Sequence, residues 1–291
     1  MPTALTIGKF DGLHLGHLKL FEEVLSKKEM GMNTLCFTFD KPINDFLNGT
    51  ATNLLTTNAE KEEYLRDLGF DYEFVLPVNE ETVAIEPEDF IRLLCDRMNM
   101  KFIAAGPDLS FGKGGAGNVS LLEDNAGKYS YEVSIVKKVK LGEDIISSSL
   151  IRQNVQEGKM EIAEAALGRP YSVDGTVTHG RKLGRQLDMP TVNLEIEKNK
   201  LLPPFGVYFS NIYLGTGLFH GIPNIGVKPT VTDEGRITVE SYIYDFDDDI
   251  YGEWLRVELL HYLRGEKRFG DLSELKDQMR TDMLRGRIYF S

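Results

Sequence analysis

The sequence has little that would staple, anchor or wrap it. Among 291 residues there are two cysteines, Cys36 and Cys95, with no Cys-x-x-Cys pair. Each sits in an apolar run, which reads as buried filler in a reducing compartment rather than a disulfide framework or a thiolate metal site. No apolar run reaches the ~20 residues that a membrane helix needs. The longest uncharged stretch, Leu201–Val227, is broken by Pro203, Pro204, Gly206, Gly215, Gly217, Gly221 and Pro223, so it reads as short strands joined by turns. Residues 1–17 show no basic segment followed by an apolar one, and no signal peptide is expected. Positive charge is also short. The 33 Lys and Arg stand against 45 Asp and Glu, a formal net charge of −12. Duplex DNA and anionic bilayers need a net basic face, so neither nucleic acid nor membrane is an expected partner. Small anionic ligands, which read only a local pocket, remain open. The expectation is a cytoplasmic protein that handles small molecules; nothing in the sequence selects an oligomeric state.

What is present divides in two, as the length implies at a typical ~150 residues per domain. In the first half short strand-like runs alternate with helical patterns. Strands are expected at Thr3–Ile7, Asn33–Phe39, Tyr72–Leu76, Phe102–Ala105 and Tyr131–Val136, and helices near Gly16–Lys27, Glu60–Leu68 and Pro87–Met98. Such alternation implies parallel βαβ units in an α/β, doubly wound sheet, with ligands outside the carboxyl ends of the strands. Ser147–Leu167 reads as two helices broken at Gly158, and Gly168-Arg169-Pro170 as a boundary. Domains 1–168 and 169–291 follow. Beyond the boundary come Tyr171–His179, Gly206–Leu214, Leu218–Ile225, Ile237–Phe246 and Leu255–Leu263, strand-like and rich in turns. They imply a small antiparallel β-barrel, closed off by a terminal helix near Ser273–Arg285. There is no internal repeat.

Chemistry gathers first at Gly8-Lys9-Phe10-Asp11-Gly12-Leu13-His14-Leu15-Gly16-His17. The segment follows a strand and opens a helix, so backbone N–H groups and a helix dipole make an anion site at the sheet's carboxyl edge. Gly12 and Gly16 allow a phosphate to approach closely. His14 and His17, three apart, fall on one face of the first helical turn. Two imidazoles aimed at one phosphate can donate to charge growing in a transfer reaction. Two of only five histidines in one glycine-flanked turn favour that reading over ordinary surface histidines. Further on, Ser147 and Ser148 at a helix start cap it, bind phosphate, or both, with Arg152 about one turn in.

Two later loops attract notice. Gly112–Gly117 spells G-x-G-x-x-G, but it follows a late strand with residues intervening, so a dinucleotide fingerprint is not expected. In the second half, Gly180, Lys182, Gly184 and Arg185 form a basic glycine loop suited to cradling phosphates. Thr191 and Asn193 carry side-chain oxygens two apart, suited to holding Mg²⁺ together with nucleotide phosphates. On Ile237–Tyr244, strand alternation puts Glu240 with Thr238, Tyr242 and Tyr244, opposite Ile237, Val239 and Ile243. From the residues alone, Glu240 is a solvated carboxylate on the outside of a barrel.

The first segment contains the H-x-G-H signature of nucleotidyltransferases, and in its fuller form G-x-F-D-G-x-H-x-G-H it resembles the adenylyltransferase half of the bacterial bifunctional riboflavin kinase/FAD synthetases. Ile146–Arg152 resembles that family's I-S-S-T-x-I-R, and Gly106–Gly112 its G-x-D-F-x-F-G loop, with Leu109 in place of a Phe. His179–Asn193 is similar to the kinase pattern G-x-x-L-G-R-x-L-G-F-P-T-A-N, with Asp188 and Met189 substituted, and Asn224–Thr230 is similar to N-x-G-x-R-P-T. The resemblance spans essentially the whole chain. It implies a nucleotidyltransferase-type sheet followed by a kinase barrel, with ATP and Mg²⁺ used at both sites and riboflavin, FMN and FAD as substrates and products. It implies nucleotide contacts at Gly8, Phe10, Asp11, Gly12, Gly16, Ser147, Ser148 and Arg152. Flavin contacts are implied at Asp108, Asn224, Gly226, Lys228, Pro229 and Thr230, and the role of catalytic base falls to Glu240. The loop around Asp108 reads equally as a structureless glycine loop.

One departure stands out: the family's T-F-x-P-H-P is Thr38-Phe39-Asp40-Lys41-Pro42-Ile43 here, without the third histidine. Two alternatives therefore accompany the main reading. One is a nucleotidyltransferase for a different acceptor phosphate, since H-x-G-H does not name the acceptor. The other is a flavin-binding protein with one inactive half. No Ser-His-Asp or Cys-His arrangement suggests a covalent intermediate.

Overall fold

A computed structural model describes residues 1–179, 189–227 and 237–291. The chain divides into two units, Met1–Ser148 and Ser149–Ser291.

In the first unit, β1 (Thr3–Ile7), β2 (Asn33–Phe39), β3 (Tyr72–Leu76), β4 (Met100–Ala105) and β5 (Glu132–Ile135) form a parallel sheet in the order β3-β2-β1-β4-β5. Helices α1 (Leu15–Leu25), α2 (Ile43–Asn48), α3 (Asn58–Asp67), α4 (Glu80–Val83), α5 (Pro87–Met98) and α6 (Val119–Tyr129) lie in the connections. A two-stranded ribbon of β6 (Lys140–Leu141) and β7 (Asp144–Ile145) follows. All five residues of β1 are buried, as expected for the central strand of a sheet covered on both faces. Leu5 and Ile7 pack with Phe37, Phe90, Ile91 and Leu94 on one side. Ala4 packs with Phe10, Phe21, Val24 and Leu65 on the other. The chain winds outward from β1 to β2 and β3, then returns to β4 beside β1. The carboxyl end of β1 is therefore at the reversal, where open α/β sheets bind ligands.

The second unit takes in α7 (Ser148–Gln156), apart from its first residue, and α8 (Met160–Leu167). Six strands follow: β8 (Tyr171–Thr178), β9 (Thr191–Ile196), β10 (Gly206–Leu214), β11 (Gly217–Val227), β12 (Ile237–Ile243) and β13 (Trp254–Gly265). They close into an antiparallel barrel in the order β10-β11-β12-β9-β8-β13, with β13 pairing back to β10. Burial alternates along the strands, so Val239 and Ser241 of β12 and Leu255, Val257 and Leu259 of β13 are buried between half-exposed neighbours. A C-terminal helix, Leu272–Tyr289, ends the chain.

The expected α/β sheet and small antiparallel barrel with a terminal helix are both present. Among the elements not anticipated, β9 shows a legible period of two, but it follows a loop read for its phosphate chemistry. Helix α6 carries Gly127 in its interior and begins just after a glycine-rich run, two features that weaken a helical pattern. Helix α8 packs against β8 and β13, so by contact it belongs with the barrel. The change in pattern at Gly168–Pro170 marks where the barrel strands start.

Candidate active sites

The turn after β1 is strained. Phe10 (φ 49°) and Leu13 (φ 46°) are left-handed without being glycine, and Gly12 (φ 91°) lies between them. Non-glycine residues in this region cost about 1–3 kcal/mol each and persist only where packing over-determines them. Here it does, since Phe10 is 2% and Leu13 0% exposed. Contrary to expectation, His14 is not in the first helical turn. It is the N-cap of α1, and its Nδ1 accepts the backbone N–H groups of Gly16 (3.1 Å) and His17 (3.3 Å). A ring nitrogen that accepts carries no proton, so the proton of neutral His14 is on Nε2. Placing His14 at the cap still brings the two imidazoles together, stacked at 3.6 Å with 17° between planes. The edge of Phe10 meets His17 at 5.1 Å. A Cβ at Gly16 would lie 3.0 Å from Cε1 of His14, so a side chain there would push the imidazole aside by a few tenths of an ångström.

Asp11 works as a latch. Its Oδ1 accepts the N–H groups of Leu55 (2.7 Å) and Thr56 (3.2 Å), tying the turn to the segment before α3. Its carbonyl oxygen accepts the Ser148 hydroxyl at 2.7 Å. Ser148 is thus brought to the histidine turn, although 137 residues separate it from Asp11. Arg152 lies one turn further along α7, in the second unit. The glycine loop around Asp108 is folded. Phe111 and Gly117 exchange backbone hydrogen bonds (3.0 and 2.9 Å), and Phe111 packs into the core against Phe90. Asp108 itself is exposed and forms an ion pair with Lys138.

In the barrel, strand register builds a polar row. Glu240 on β12 is paired with Asn224 of β11 on one side and Asn193 of β9 on the other. Side chains of such partners stand about 5 Å apart on one face. Thr191, two residues before Asn193, donates its hydroxyl to Glu240 Oε1 at 2.6 Å. Glu240 is on the outer face of the barrel, as strand alternation implied, but it is not a free surface carboxylate. It lines a cavity of about 200 Å³ together with Thr191 and Asn224, and the C-terminal helix contributes Leu275, Met279 and Met283. Arg264 and Asp282 close one side through a near-buried bidentate pair, with Nη2 donating to Oδ2 at 2.6 Å and Nε to Oδ1 at 3.2 Å. A second cavity of about 300 Å³ shares Thr191 and is lined by Pro190, Asp247 to Asp249 and Tyr251. Gly226 is a point of close approach, because a Cβ there would sit 2.0 Å from Oε1 of Glu266. Gly180, Lys182, Gly184, Arg185, Lys228, Pro229 and Thr230 lie outside the described residues.

Comparison with known proteins matches each unit separately. A family model described as FAD synthetase covers residues 1–150, and one described as riboflavin kinase covers 167–290. The bifunctional riboflavin kinase/FMN adenylyltransferase of Escherichia coli (strain K12) is 33% identical over 290 residues, 98% of this chain and 92% of that protein. The protein of the same description from Bacillus subtilis (strain 168) is 30% identical over 295 residues, 99% and 93% of the two chains. The chain belongs to the bifunctional riboflavin kinase/FMN adenylyltransferase family. A crystal structure from Streptococcus pneumoniae, described as a macrolide-efflux protein, shares the fold of this family member with a TM-score of 0.86 at 27% identity, covering 98% of this chain and 94% of that one. Among the described residues no helix is long and apolar enough to cross a membrane.

Members of this family use Mg²⁺ with ATP, and the barrel row suits that ion. Mg²⁺ prefers hard oxygen donors and takes one or two from protein while substrate phosphates and water complete its shell. Thr191 Oγ1 spends its proton on Glu240 and keeps lone pairs for a cation, and buried Asn193 lies beside it in register. Sequence reading missed the walls of the barrel cavity. Leu275, Met279 and Met283 recur every four residues near the chain end, a visible stripe whose partner surface appears only once the barrel closes.

Proposed function

We infer that the protein phosphorylates riboflavin with ATP at the barrel cavity, giving FMN, and adenylylates FMN with a second ATP at the histidine turn, giving FAD and pyrophosphate. The observation that carries the kinase step is the Thr191–Glu240 hydrogen bond at 2.6 Å on the wall of a largely apolar cavity. A flat ring system suits the methionine and leucine wall, leaving a polar chain to reach Glu240. The attacking hydroxyl loses its proton to Glu240 as it bonds to the γ-phosphorus, and the bond from that phosphorus to the departing ADP breaks. Thr191 orients the carboxylate through Oε1, leaving Oε2 for the substrate. The Thr191 hydroxyl and the Asn193 side-chain carbonyl would hold Mg²⁺, which would neutralise charge on the phosphates. That Thr191 borders both cavities supports a flavin in one and a nucleotide in the other.

At the histidine turn, an FMN phosphate oxygen bonds to the α-phosphorus of ATP and the bond to pyrophosphate breaks. His14 donates from Nε2, since Nδ1 is occupied by the cap, and His17 stacks beside it as a second donor. Both act on charge that develops on the phosphate oxygens. Ser148 is held at the same turn by its bond to Asp11. A cytoplasmic setting fits an ATP-dependent pair of reactions and two free cysteines. The test is chromatography of flavins formed by the purified protein from riboflavin, ATP and Mg²⁺. Formation of FMN and then FAD is expected. FMN without FAD would return the inactive-half reading, and no flavin product would refute both activities.

A further inference from the structure

Lys61, on α3, is 4% exposed. Its Nζ donates to the Thr38 hydroxyl at 3.0 Å and to the Lys9 carbonyl at 3.4 Å. Thr38, itself 0% exposed, also directs its hydroxyl at the Lys9 carbonyl, at 3.4 Å. Both partners of the ammonium are neutral, and among the described residues no carboxylate forms an ion pair with it. The titratable groups that act on it from neighbouring elements are Glu73 of β3, Cys36 of β2 and Asp11 of the turn. Burial pushes the lysine down from its ordinary pKa, and burial pushes Glu73 and Cys36 up. A buried ammonium whose direct hydrogen-bond partners are all neutral gains little at close range to repay its desolvation. Stability is therefore a poor explanation for it.

Its position offers a better one. Lys9 sits between Gly8 and Phe10, in the turn that carries the histidines. The start of α3 is fastened to the same turn a second time, through the Asp11 latch on Leu55 and Thr56. Lys61 thus holds a carbonyl in the middle of a strained phosphate-binding turn, from the buried side, and puts a full positive charge behind it in a low-dielectric setting. Resting on the adenylyltransferase reading of the first unit, we propose that Lys61 is a positioning residue for adenylyl transfer, holding the Gly8–Leu13 turn in register through Lys9 and providing the buried cation that a bound nucleoside triphosphate completes.

The test uses the full chain, with FMN adenylylation, riboflavin phosphorylation and thermal unfolding measured for wild type, Lys61→Met and Thr38→Val. Lys61→Met is expected to lower kcat for FAD formation at least about tenfold, the scale on which misplaced groups lose rate. KM for FMN should stay within about twofold, and riboflavin phosphorylation should be unchanged. The melting temperature should not fall, because a buried unpaired charge has been removed. Thr38→Val should lose part of the same rate. A residue with a merely structural role would lose stability and activity together. Wild-type kcat in Lys61→Met, or a rate loss that tracks a lower melting temperature in both variants, overturns the proposal. If Lys61→Met does not fold, an unchanged kcat in Thr38→Val overturns it alone. A wild-type chain that makes no FAD from FMN refutes the adenylyltransferase reading instead, and the inference with it.

Discussion

The Thr191 hydroxyl donates to the Glu240 carboxylate at 2.6 Å, across two neighbouring barrel strands and 49 residues of sequence. The bond occupies Oε1 of a carboxylate that lines the barrel cavity. Replacing Glu240 by Gln keeps an oxygen for Thr191 to bond and removes the base. Glu240→Gln is expected to slow FMN formation by about 10²–10⁴ and to spare FAD synthesis from supplied FMN. Paired initial-rate assays on one preparation check this. A wild-type kinase rate returns Glu240 to a structural role, and loss of both activities indicates damage to the fold.

At the other site the two histidines separate by their secondary roles. His17→Ala removes a donor and no cap, and should lower adenylyl transfer by about 10²–10³ with riboflavin phosphorylation nearly intact. His14→Ala also removes the N-cap of α1, worth about 1 kcal/mol. His14→Asn, which restores a cap oxygen but no imidazole, should recover the melting temperature of the Ala variant and not its adenylylation rate. Recovery of both would make His14 a cap and nothing more.

How much of this was legible depends on whether the signal was local. Strands β1, β2 and β3 and helix α5 coincide with the expected spans because continuous apolar runs, turn residues and Pro87 at the helix start all act within a few residues. The His14 cap was a near miss. The i, i+3 spacing foretold that His14 and His17 meet, but not that the first of them stands outside the helix. Lys61 was invisible, being one lysine in a charged helix whose partner Thr38 is 23 residues away. Arg264 and Asp282 were likewise a plain basic and a plain acidic residue until the terminal helix packed against the barrel at β11.

That pair carries its own expectation. Arg264 and Asp282 are 15% and 4% exposed, and Gln278 donates to the same carboxylate at 2.9 Å. Removing one partner of a buried pair strands the other, at a cost of about 3–5 kcal/mol. Asp282→Ala should therefore lower the melting temperature of the second unit and raise KM for riboflavin, since the helix it anchors walls the cavity. Calorimetry and kinase kinetics read the two effects. An unchanged KM in a destabilised variant would detach the helix from substrate binding.

The second unit should work alone, provided it is cut where its contacts end. Helix α8 buries Met160, Ala163, Ala166 and Leu167, and its Glu161 bonds His261 of β13 at 2.6 Å. Fully burying Met160 and Leu167 is worth about 3–6 kcal/mol together, a large part of the ~5–15 kcal/mol that holds a typical domain folded. The break in sequence pattern at Gly168 invites a fragment of residues 169–291, but that cut discards α8 and uncovers the barrel surface beneath it. Residues 149–291 are thus expected to unfold cooperatively and to phosphorylate riboflavin at close to the full-length rate, forming no FAD. Residues 169–291 should melt at lower temperature or aggregate. Thermal unfolding followed by circular dichroism, with a riboflavin kinase assay on each soluble fragment, compares them. A folded 149–291 fragment without kinase activity would mean that the barrel cavity needs the first unit to act. Equal stability in the two fragments would mean that α8 is an ornament on the barrel rather than a part of its core.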